Sequence, residues 1–529
     1  MIRLRDLRLA PGEDETKLRA LAARALGIKA ETIEEIKILR KSLDARRKSD
    51  IHWIYTVAVS VENEDKALLR AKNKNADAYL PPVYTIPRCK AESRPVVVGF
   101  GPAGMFASLV LAKAGLRPIV LERGRDVDTR TADVHRFWAG GALDERSNVQ
   151  FGEGGAGTFS DGKLNTGTHD VRIAWVLRQF HAFGAPEAVT YDAKPHVGTD
   201  VLADVVKNLR GEVLALGGEL RFCHQLTGLQ SENGRLTGAY VSAPEGEYLL
   251  PCSELLLAPG HSARDTFEML LQSGVPMERK PFSMGVRIEH LQKSIGEAQY
   301  GESYVNLPPA DYKLNCRLPD GESAYTFCMC PGGTVVAAAS EAGGLVTNGM
   351  SQSRRDGENA NAAVLVTLYP EDFPGGGTLA GMHWQREIEQ RCFACGGGNY
   401  LAPAQTVGDF LAGRKSTGAG SVLPSYRPGV IWCDLHEVLP EKLTGVLERA
   451  LPELGKKLRG FDAPDAVLTA PETRSSSPVR ICRDETRQSA LRGLYPCGEG
   501  AGYAGGITSA AVDGIRCAEA ILEKYIVSE

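Results

Sequence analysis

Three valines followed by a spaced triplet of glycines are the feature that most constrains the fold of this chain. Residues 96–98 form a short apolar strand that runs directly into Gly99-x-Gly101-x-x-Gly104 and then into a helical segment. In this setting the first glycine permits a tight turn, the second lets the backbone approach a pyrophosphate, and the third allows close packing of helix on strand. The pattern predicts a βαβ unit that binds a dinucleotide. Its candidate contacts are Gly99, Phe100, Gly101, Pro102, Ala103 and Gly104.

An acidic residue closes the second predicted strand of this unit. The residues 118–121 lead to Glu122, which lies eighteen positions beyond Gly104. A carboxylate at that place accepts hydrogen bonds from the ribose of an adenosine moiety. An acid favours FAD or NAD over a cofactor with a 2′-phosphate, and we take Glu122 and the adjacent Arg123 as candidate contacts.

A glycine-rich segment near the C terminus distinguishes a flavin from a nicotinamide nucleotide. Gly498-Glu499 precedes Gly505-Gly506-Ile507, where a long C-terminal helix is predicted to begin. The free N–H groups of such a helix N terminus stabilise a ring that becomes anionic on reduction. We therefore predict FAD as the cofactor, with these five residues among its contacts.

Residues 152–157 (GEGGAG) repeat the glycine spacing without its structural context. Only residues 149–151 precede them as a possible strand, and no strand ending in an acid follows at the expected distance. A loop whose N–H groups wrap the FAD pyrophosphate or the flavin is favoured over a plain surface loop. Asp161 and Lys163 either face the flavin, the lysine as a cation beside the reduced ring, or only shape the loop. The candidate contacts here are Gly154, Gly155, Ala156, Gly157, Asp161 and Lys163.

These segments carry a resemblance to known flavoproteins. The glycine fingerprint with its acid, the strand 255–258 ending in Pro259-Gly260, and the late CGEG segment resemble the glutathione-reductase-type FAD fold. Together VVVGFGPAGMFASLVLAKAGLRPIVLERG, SNVQFGEGGAGTFSDGKLNTG and CGEGAGYAGGITSAAVDGI are similar to a bacterial family of uncharacterised FAD-dependent dehydrogenases, over nearly the whole chain. The resemblance implies that Glu499 contacts the ribityl or pyrophosphate portion, that Pro259-Gly260 passes near FAD, and that Leu226 meets the adenine through its backbone.

The order of predicted elements divides the chain into three units. Residues 1–93 read as strand, helix, strand, strand and helix, which predicts a small ferredoxin-like α+β unit before a proline-rich linker. Residues 94–281 and 475–529 alternate strands and helices as the two parts of an FAD-binding unit. Residues 282–474 predict an inserted, mainly antiparallel β unit on the substrate side, with strands on either side of a turn at 331–333. The predicted fold class is α/β: a glutathione-reductase-type Rossmann FAD-binding domain with that insertion and the N-terminal unit.

Charge and composition limit the partners. The chain has a net charge of −4, of which residues 1–93 carry +5, and a solvated basic face is favoured over an RNA contact. Twelve scattered cysteines and no signal peptide predict a cytoplasmic protein with free thiols. The uncharged run 95–112 reaches the length of a membrane helix, but glycines and a proline interrupt it, so no membrane span is predicted.

The predicted reaction is transfer of hydride or electrons between FAD and an unidentified small molecule, as in a dehydrogenase or reductase. Because no second nucleotide-binding unit is found, NAD(P)H is expected to visit only transiently as reductant. A flavin does this chemistry itself, so catalytic side chains stay unassigned. His261 is interpreted as a structural hydrogen-bonding group, and the charged run 353–356 as exposed ion pairs rather than an anion site. The alternatives are a flavin-containing RNA-modifying or RNA-binding protein and a non-catalytic FAD redox sensor.

Cysteine spacing argues against one activity of this fold. Disulfide reductases place a cysteine pair soon after the first βαβ unit, whereas no cysteine lies between Cys89 and Cys223. The CxxC at 392–395 and the CxC at 328–330 are interpreted as buried free thiols. Alternation along a strand would put both thiols of the CxC on one face, opposite three larger side chains.

Overall fold

The N-terminal unit is an antiparallel sheet that shares one apolar core with two helices. The computed structural model describes residues 1–71 and 74–526; residues 72–73 of this predicted unit and 527–529 at the C terminus lie outside the described residues. The elements are β1 (Ile2–Leu9), α1 (Lys17–Leu26), β2 (Ile33–Asp44), β3 (His52–Val61), α2 (Glu64–Arg70) and β4 (Ala76–Ala78). The strand order is β2-β3-β1-β4, and the short fourth strand is absent from the sequence prediction.

The next segment contains the predicted βαβ unit and most of a parallel sheet. Its elements are β5 (Val96–Val98), α3 (Pro102–Ala114), β6 (Ile119–Glu122), α4 (Val127–Trp138), α5 (Val171–Ala182), α6 (Thr199–Ala215), β7 (Glu219–Phe222), β8 (Gln225–Glu232), β9 (Arg235–Ala243), β10 (Gly246–Pro251), β11 (Leu255–Leu257), α7 (Arg264–Gln272) and β12 (Met277–Arg279). β8, β9 and β10 form a separate antiparallel sheet. Val98 is in register with Leu121 and with Leu257, so the carboxyl ends of β5, β6 and β11 share one edge.

The middle unit is built on a seven-stranded sheet. Its elements are β13 (Phe282–Leu291), α8 (Gln292–Tyr300), β14 (Asn315–Arg317), β15 (Ser323–Cys330), β16 (Thr334–Ala337), β17 (Thr347–Met350), β18 (Asn359–Leu368), α9 (Ala380–Cys395), β19 (Ala402–Thr406), α10 (Val407–Leu411), β20 (Val430–Trp432), α11 (Glu441–Lys457) and β21 (Val467–Glu472). The order is β14-β15-β18-β13-β21-β19-β20, antiparallel except for the β19–β20 pair.

The strands predicted on either side of the turn at 331–333 are present as β15 and β16, but they do not pair with each other. β15 pairs with β14 and β18, whereas β16 pairs with β17 in a separate two-stranded sheet. Both edges of β15 are therefore already occupied. After the turn the chain runs close to the backbone at Arg355, where a Cβ on Gly332 would overlap the Arg355 carbonyl group.

The last segment of the chain adds a strand to the parallel sheet that contains β5. It contributes β22 (Val479–Ile481), β23 (Leu494–Pro496) and α12 (Ile507–Leu522). β23 pairs parallel with β11 and completes a five-stranded parallel sheet in the order β23-β11-β5-β6-β7. The α/β class with a parallel sheet is thus confirmed. No helix among residues 1–71 and 74–526 has both the length and the apolar character needed to cross a membrane.

Candidate functional site: three backbone loops meet at the carboxyl edge of the parallel sheet

The turn between β5 and α3 requires its glycines for steric reasons. Gly99 has a φ of +90°, a conformation that side chains disfavour. A Cβ on Gly104 would overlap the Gly99 carbonyl oxygen, so α3 can pack this closely only without one. Gly101 stands at the N-cap of α3, and no described side chain caps that helix. The first N–H groups of α3 are therefore available to an anion.

Glu122 organises the neighbouring backbone from the end of β6. Its Oε2 accepts a hydrogen bond from the N–H of Phe100 at 2.8 Å. Its Oε1 accepts from the N–H groups of Gly124 at 2.9 Å and Gly152 at 3.0 Å. The buried carboxylate thus ties the glycine turn to the second glycine loop, and Oε2, which accepts only one of these hydrogen bonds, retains further acceptor capacity.

The second glycine loop, residues 152–157, lies directly against the first. The Gly154 N–H donates to the Phe100 carbonyl at 2.8 Å. A Cβ on Gly155, which has a φ of +64°, would lie 3.0 Å from the Cα of Gly101. Along both loops the backbone is therefore not covered by side chains. Such a surface suits an anionic group, such as a pyrophosphate, that must approach the N–H groups closely.

Arg130 shapes this loop and was missed from the sequence. Its guanidinium is fully buried and donates to four loop carbonyls, those of Asn148, Val149, Gly152 and Glu153. Burial lowers its pKa to about 10, which leaves the group charged at neutral pH. The sequence signal was weak because an arginine in the charged α4 segment reads as exposed.

The N terminus of α12 supplies the third element. A Cβ on Gly157 would lie 3.2 Å from Ile507, the first residue of α12. The N-cap of α12 is Gly506, and no side chain in the described part of the chain caps that end. Two uncapped helix N termini and two glycine loops therefore converge. Their free N–H groups fit the pyrophosphate and flavin of FAD.

Glu499 lies on the strand-to-helix connection that runs beside the turn after β11. A Cβ on the neighbouring Gly500 would overlap the Gly260 carbonyl group, so the two connections are in backbone contact. No residue within 1–71 and 74–526 donates a hydrogen bond to the Glu499 carboxylate. Burial raises its pKa to about 7, although the charge of Lys280 opposes the shift.

Several predicted contacts also have partners within the protein. Asp161 accepts hydrogen bonds from Arg355 Nε, at 2.8 Å, and from the Lys163 ammonium, which also donates to the Met329 carbonyl. The run 353–356 is therefore partly an interface between units rather than wholly exposed. Arg123 donates to Asp265 and Thr266, each at 3.0 Å.

Leu226 lies on β8 of the antiparallel sheet, and Pro259 follows β11 at the carboxyl edge of the parallel sheet. The Leu226 side chain is buried, and the ladder between β8 and β9 shifts register between Leu226 and Gly228. Pro259 and Gly260 follow directly after β11 and Ala258, and Gly260 has a φ of +76°. Both segments remain candidates for cofactor contact through their backbone.

A buried ion cluster joins the FAD-binding unit to the middle unit. Arg264 Nη2 and Arg474 Nη2 each lie 2.8 Å from a carboxylate oxygen of Glu389. Burial raises the pKa of Glu389, but the two guanidinium charges outweigh it and lower the pKa to about 2. His261 Nε2 donates to the Arg474 carbonyl at 2.6 Å, and burial lowers its pKa to about 4. His261 is thus a neutral, structural hydrogen-bond donor.

The middle unit contains an open cavity of about 510 Å³. Its lining includes Tyr300 and Tyr304 from the α8 region and Arg355. Arg355 also binds Asp161, so the cavity wall is connected to the loop that follows the second glycine loop. This size falls within the range that accommodates small organic molecules.

The parallel sheet, the glycine turn and the acid at the end of β6 define an α/β dinucleotide-binding protein. A family described as "FAD-dependent protein, C-terminal domain-like" matches residues 281–475, and a domain of unknown function matches residues 1–60. An uncharacterised protein of Clostridium beijerinckii is 46% identical over 533 residues, covering 99% of both chains. The chain belongs to this family of uncharacterised FAD-dependent proteins.

Solved structures with a similar arrangement are more distant. Quinol fumarate reductase FrdA of E. coli is 14% identical, with a TM-score of 0.38, over 82% of this chain and 70% of its own. Glycerol-3-phosphate dehydrogenase of Bacillus halodurans, complexed with FAD, is 11% identical, with a TM-score of 0.37, over 82% and 65%. The flavin-dependent brominase Bmp2 is 14% identical, with a TM-score of 0.36, over 81% and 78%.

Proposed function

We propose that this protein is an FAD-dependent oxidoreductase that exchanges electrons between FAD and a small molecule. The observation that carries the proposal is the convergence of two uncapped helix N termini, of α3 and α12, on the bare backbone of two glycine loops. One N terminus suffices for a pyrophosphate, and the second matches a group that gains negative charge on reduction.

Each part of the site then has a role in holding the cofactor. The α3 N terminus and residues 154–157 bind the pyrophosphate through N–H groups. Glu122 accepts hydrogen bonds from the adenosine ribose, since both of its oxygens are held in place by backbone donors. Glu499 accepts from the ribityl hydroxyls, which would satisfy a carboxylate that receives no hydrogen bond from the described part of the chain. The backbone at Leu226 lies beside the adenine, as in a glutathione-reductase-type layout.

Bound FAD supplies hydride and electron transfer. The chain supplies position and charge: the α12 N–H groups stabilise the reduced ring, and the middle unit holds the substrate in its cavity. The Arg264–Glu389–Arg474 cluster fixes the middle unit against the FAD-binding unit. NAD(P)H serves as a transient reductant, because residues 1–71 and 74–526 contain no second nucleotide-binding turn that would hold it.

The test begins with the cofactor. Purified protein, reconstituted with FAD and desalted, should retain about one FAD per chain, identified by chromatography after denaturation. Anaerobic mixing with NADH, NADPH and a panel of small alcohols, acids and amines should then bleach the flavin absorbance with at least one donor, with dithionite as the control for a reducible flavin. A chain that retains no FAD, or an FAD that only dithionite reduces, would overturn the proposal.

A further inference from the structure

The CxC segment of β15 departs from regular strand geometry. The ladder between β15 and β18 shifts register between Phe327 and Cys330. Cys328 has a φ of +42°, in the left-handed region that residues with side chains rarely adopt. This irregularity is a β-bulge, and it interrupts the alternation of side chains predicted from the sequence. The two thiols therefore do not lie on one face of a regular strand. Irregular strand positions of this kind occur next to active sites, where they redirect a side chain.

Cations surround the two thiols. The Lys163 ammonium donates to the carbonyl of Met329, the residue between the two cysteines. Arg287 Nη2 donates to the Cys328 carbonyl at 3.0 Å and lies 3.9 Å from Cys330 Sγ. Two positive charges stabilise a thiolate and disfavour a bound metal ion, because a cation would have to displace them.

The two thiols differ in acidity and in exposure. A hydrogen bond from Cys330 and the charges of Lys163 and Arg287 outweigh burial and lower the pKa of Cys328 to about 7. The same hydrogen bond, together with burial, raises the pKa of Cys330 well above its usual range. Cys328 is partly exposed and Cys330 is buried. An accessible thiolate backed by a buried thiol is the arrangement of an attacking and a resolving cysteine.

The CxxC pair of α9 lacks these features. Burial raises the pKa of Cys392 well above its usual range, and the nearby thiols reinforce the shift. Its partner Cys395 is partly exposed and free. This pair therefore serves as an internal comparison for the CxC segment.

We propose that Cys328 and Cys330 form a redox-active dithiol, a second two-electron centre beside the FAD site. On oxidation a bond forms between the two Sγ atoms, the S–H bond of Cys330 breaks, and two electrons and one proton pass to oxidised FAD. Lys163 connects the two cysteines to the proposed FAD site. It forms an ion pair with Asp161, and both residues follow the second glycine loop, which contacts α12. The choice of FAD as electron acceptor rests on the proposed function; the reactivity of the pair does not.

The first experiment measures the thiols directly in the full-length protein. One tryptic peptide, residues 318–354, contains both cysteines and no other. Iodoacetamide labelling between about pH 5 and pH 9, followed by mass spectrometry, should label Cys328 with a midpoint near pH 7 and faster than Cys89 or Cys482. Diamide should then remove two hydrogen atoms from this peptide. Labelling of Cys328 no faster than that of Cys89, with no loss of hydrogen after diamide, would overturn the proposal.

Variants separate the pair from its surroundings. Cys330→Ala should raise the labelling midpoint of Cys328 and abolish the diamide product, whereas Cys395→Ala should leave both unchanged. Anaerobic dithionite titration of diamide-treated, FAD-loaded protein should consume about four electrons per flavin, against about two for Cys330→Ala. If the wild-type protein consumed only about two electrons per flavin, the proposed electron transfer between the dithiol and FAD would be wrong. A protein that binds no FAD would instead refute the proposed function while the labelling result stands.

Discussion

Gly101 and Gly155 lie back to back, with a Cβ on Gly155 only 3.0 Å from the Cα of Gly101. The first glycine is the N-cap of α3, and the second belongs to a loop more than fifty residues further along the chain. Two segments distant in sequence thus present bare backbone to the same place. This makes it possible to separate the role of a glycine in packing from its role in leaving space for a ligand.

Gly101→Ala should weaken FAD binding while preserving the fold. A Cβ on Gly101 would meet the protein no closer than 3.6 Å, at Gly155, so the cost to the flavin-free protein should stay below about 1 kcal/mol. The methyl group would lie against Gly155, where the two glycine loops meet and the pyrophosphate is proposed to bind, and we expect FAD affinity to fall at least about tenfold. FAD titration by flavin fluorescence and urea unfolding of the flavin-free protein measure the two effects.

Two further variants calibrate that result. Gly104→Ala would overlap the Gly99 carbonyl oxygen, so it should destabilise the flavin-free protein by about 1–3 kcal/mol as well. Gly445→Ala lies in α11 with nothing within 4 Å, and should change neither FAD affinity nor stability unfavourably. If Gly101→Ala binds FAD as tightly as Gly445→Ala does, the assignment of the pyrophosphate site is wrong.

Glu122→Gln should loosen the two glycine loops from each other. The backbone N–H groups of Phe100, Gly124 and Gly152 donate to the two carboxylate oxygens of Glu122. In the glutamine variant an NH₂ group replaces one of these oxygens, so at least one buried N–H loses its acceptor. Such a loss costs about 1–3 kcal/mol in stability. We expect FAD affinity to fall further, because the ribose loses the same acceptor; denaturant unfolding and FAD titration test both expectations.

The exposed Glu247 on β10 offers a matched control for this change. Glu247→Gln removes the same charge without touching the loops and should behave as the wild type. Equal effects at the two positions would show that Glu122 acts through net charge alone.

Local patterns account for what the sequence could predict. Spacing along the chain predicts the glycine turn at Gly99, the acid at Glu122 and the start of α12 at Ile507. These features depend on contacts within a few residues or on the fixed separation of successive strands in a βαβ unit. Arg130 escaped prediction because its acceptors lie 18 to 23 positions away in an irregular loop. Nothing in the α4 segment indicates that its arginine turns inward.

Competition between strands decides a pairing in the middle unit that the sequence left open. The turn at 331–333 resembles a hairpin, but β18 pairs with β15 along most of its length and leaves no free edge for β16. The bulge at Cys328 likewise depends on Arg287 and Lys163, which come from distant segments. Alternation of side chains predicts regular strands, and tertiary contacts decide where regularity fails.

Glu499 should make the flavin-free protein less stable as the pH rises. Its pKa is raised from 4.5 to about 7 when folded, so the stabilising contribution is complete below about pH 4.5 and is lost as the pH rises through 7. Glu499→Gln removes this loss, and its gain over the wild type should grow across that interval towards a limit of about 3 kcal/mol. Urea unfolding of both flavin-free proteins at several pH values measures the difference; parallel stability profiles would contradict the expected burial effect.

Glu389 should show the opposite dependence on pH. The charges of Arg264 and Arg474 outweigh burial and hold its folded pKa at about 2, below the usual 4.5. Its contribution to stability is therefore present above about pH 4.5 and lost as the pH falls through 2. Glu389→Gln should destabilise the protein by about 3–5 kcal/mol at neutral pH, because two buried guanidinium groups lose their shared partner.

The difference between wild type and Glu389→Gln should shrink as the pH falls from 4.5, because the wild-type carboxylate then becomes protonated too. Glu387→Gln provides the control, since Glu387 is an exposed residue of the same helix whose ion pair with Arg391 contributes less than about 1 kcal/mol. Unfolding followed by tryptophan fluorescence, with Trp384 on that helix as a probe of the middle unit, gives the stability at each pH. A loss at Glu389 no larger than the loss at Glu387 would mean that the cluster does not hold the middle unit against the FAD-binding unit.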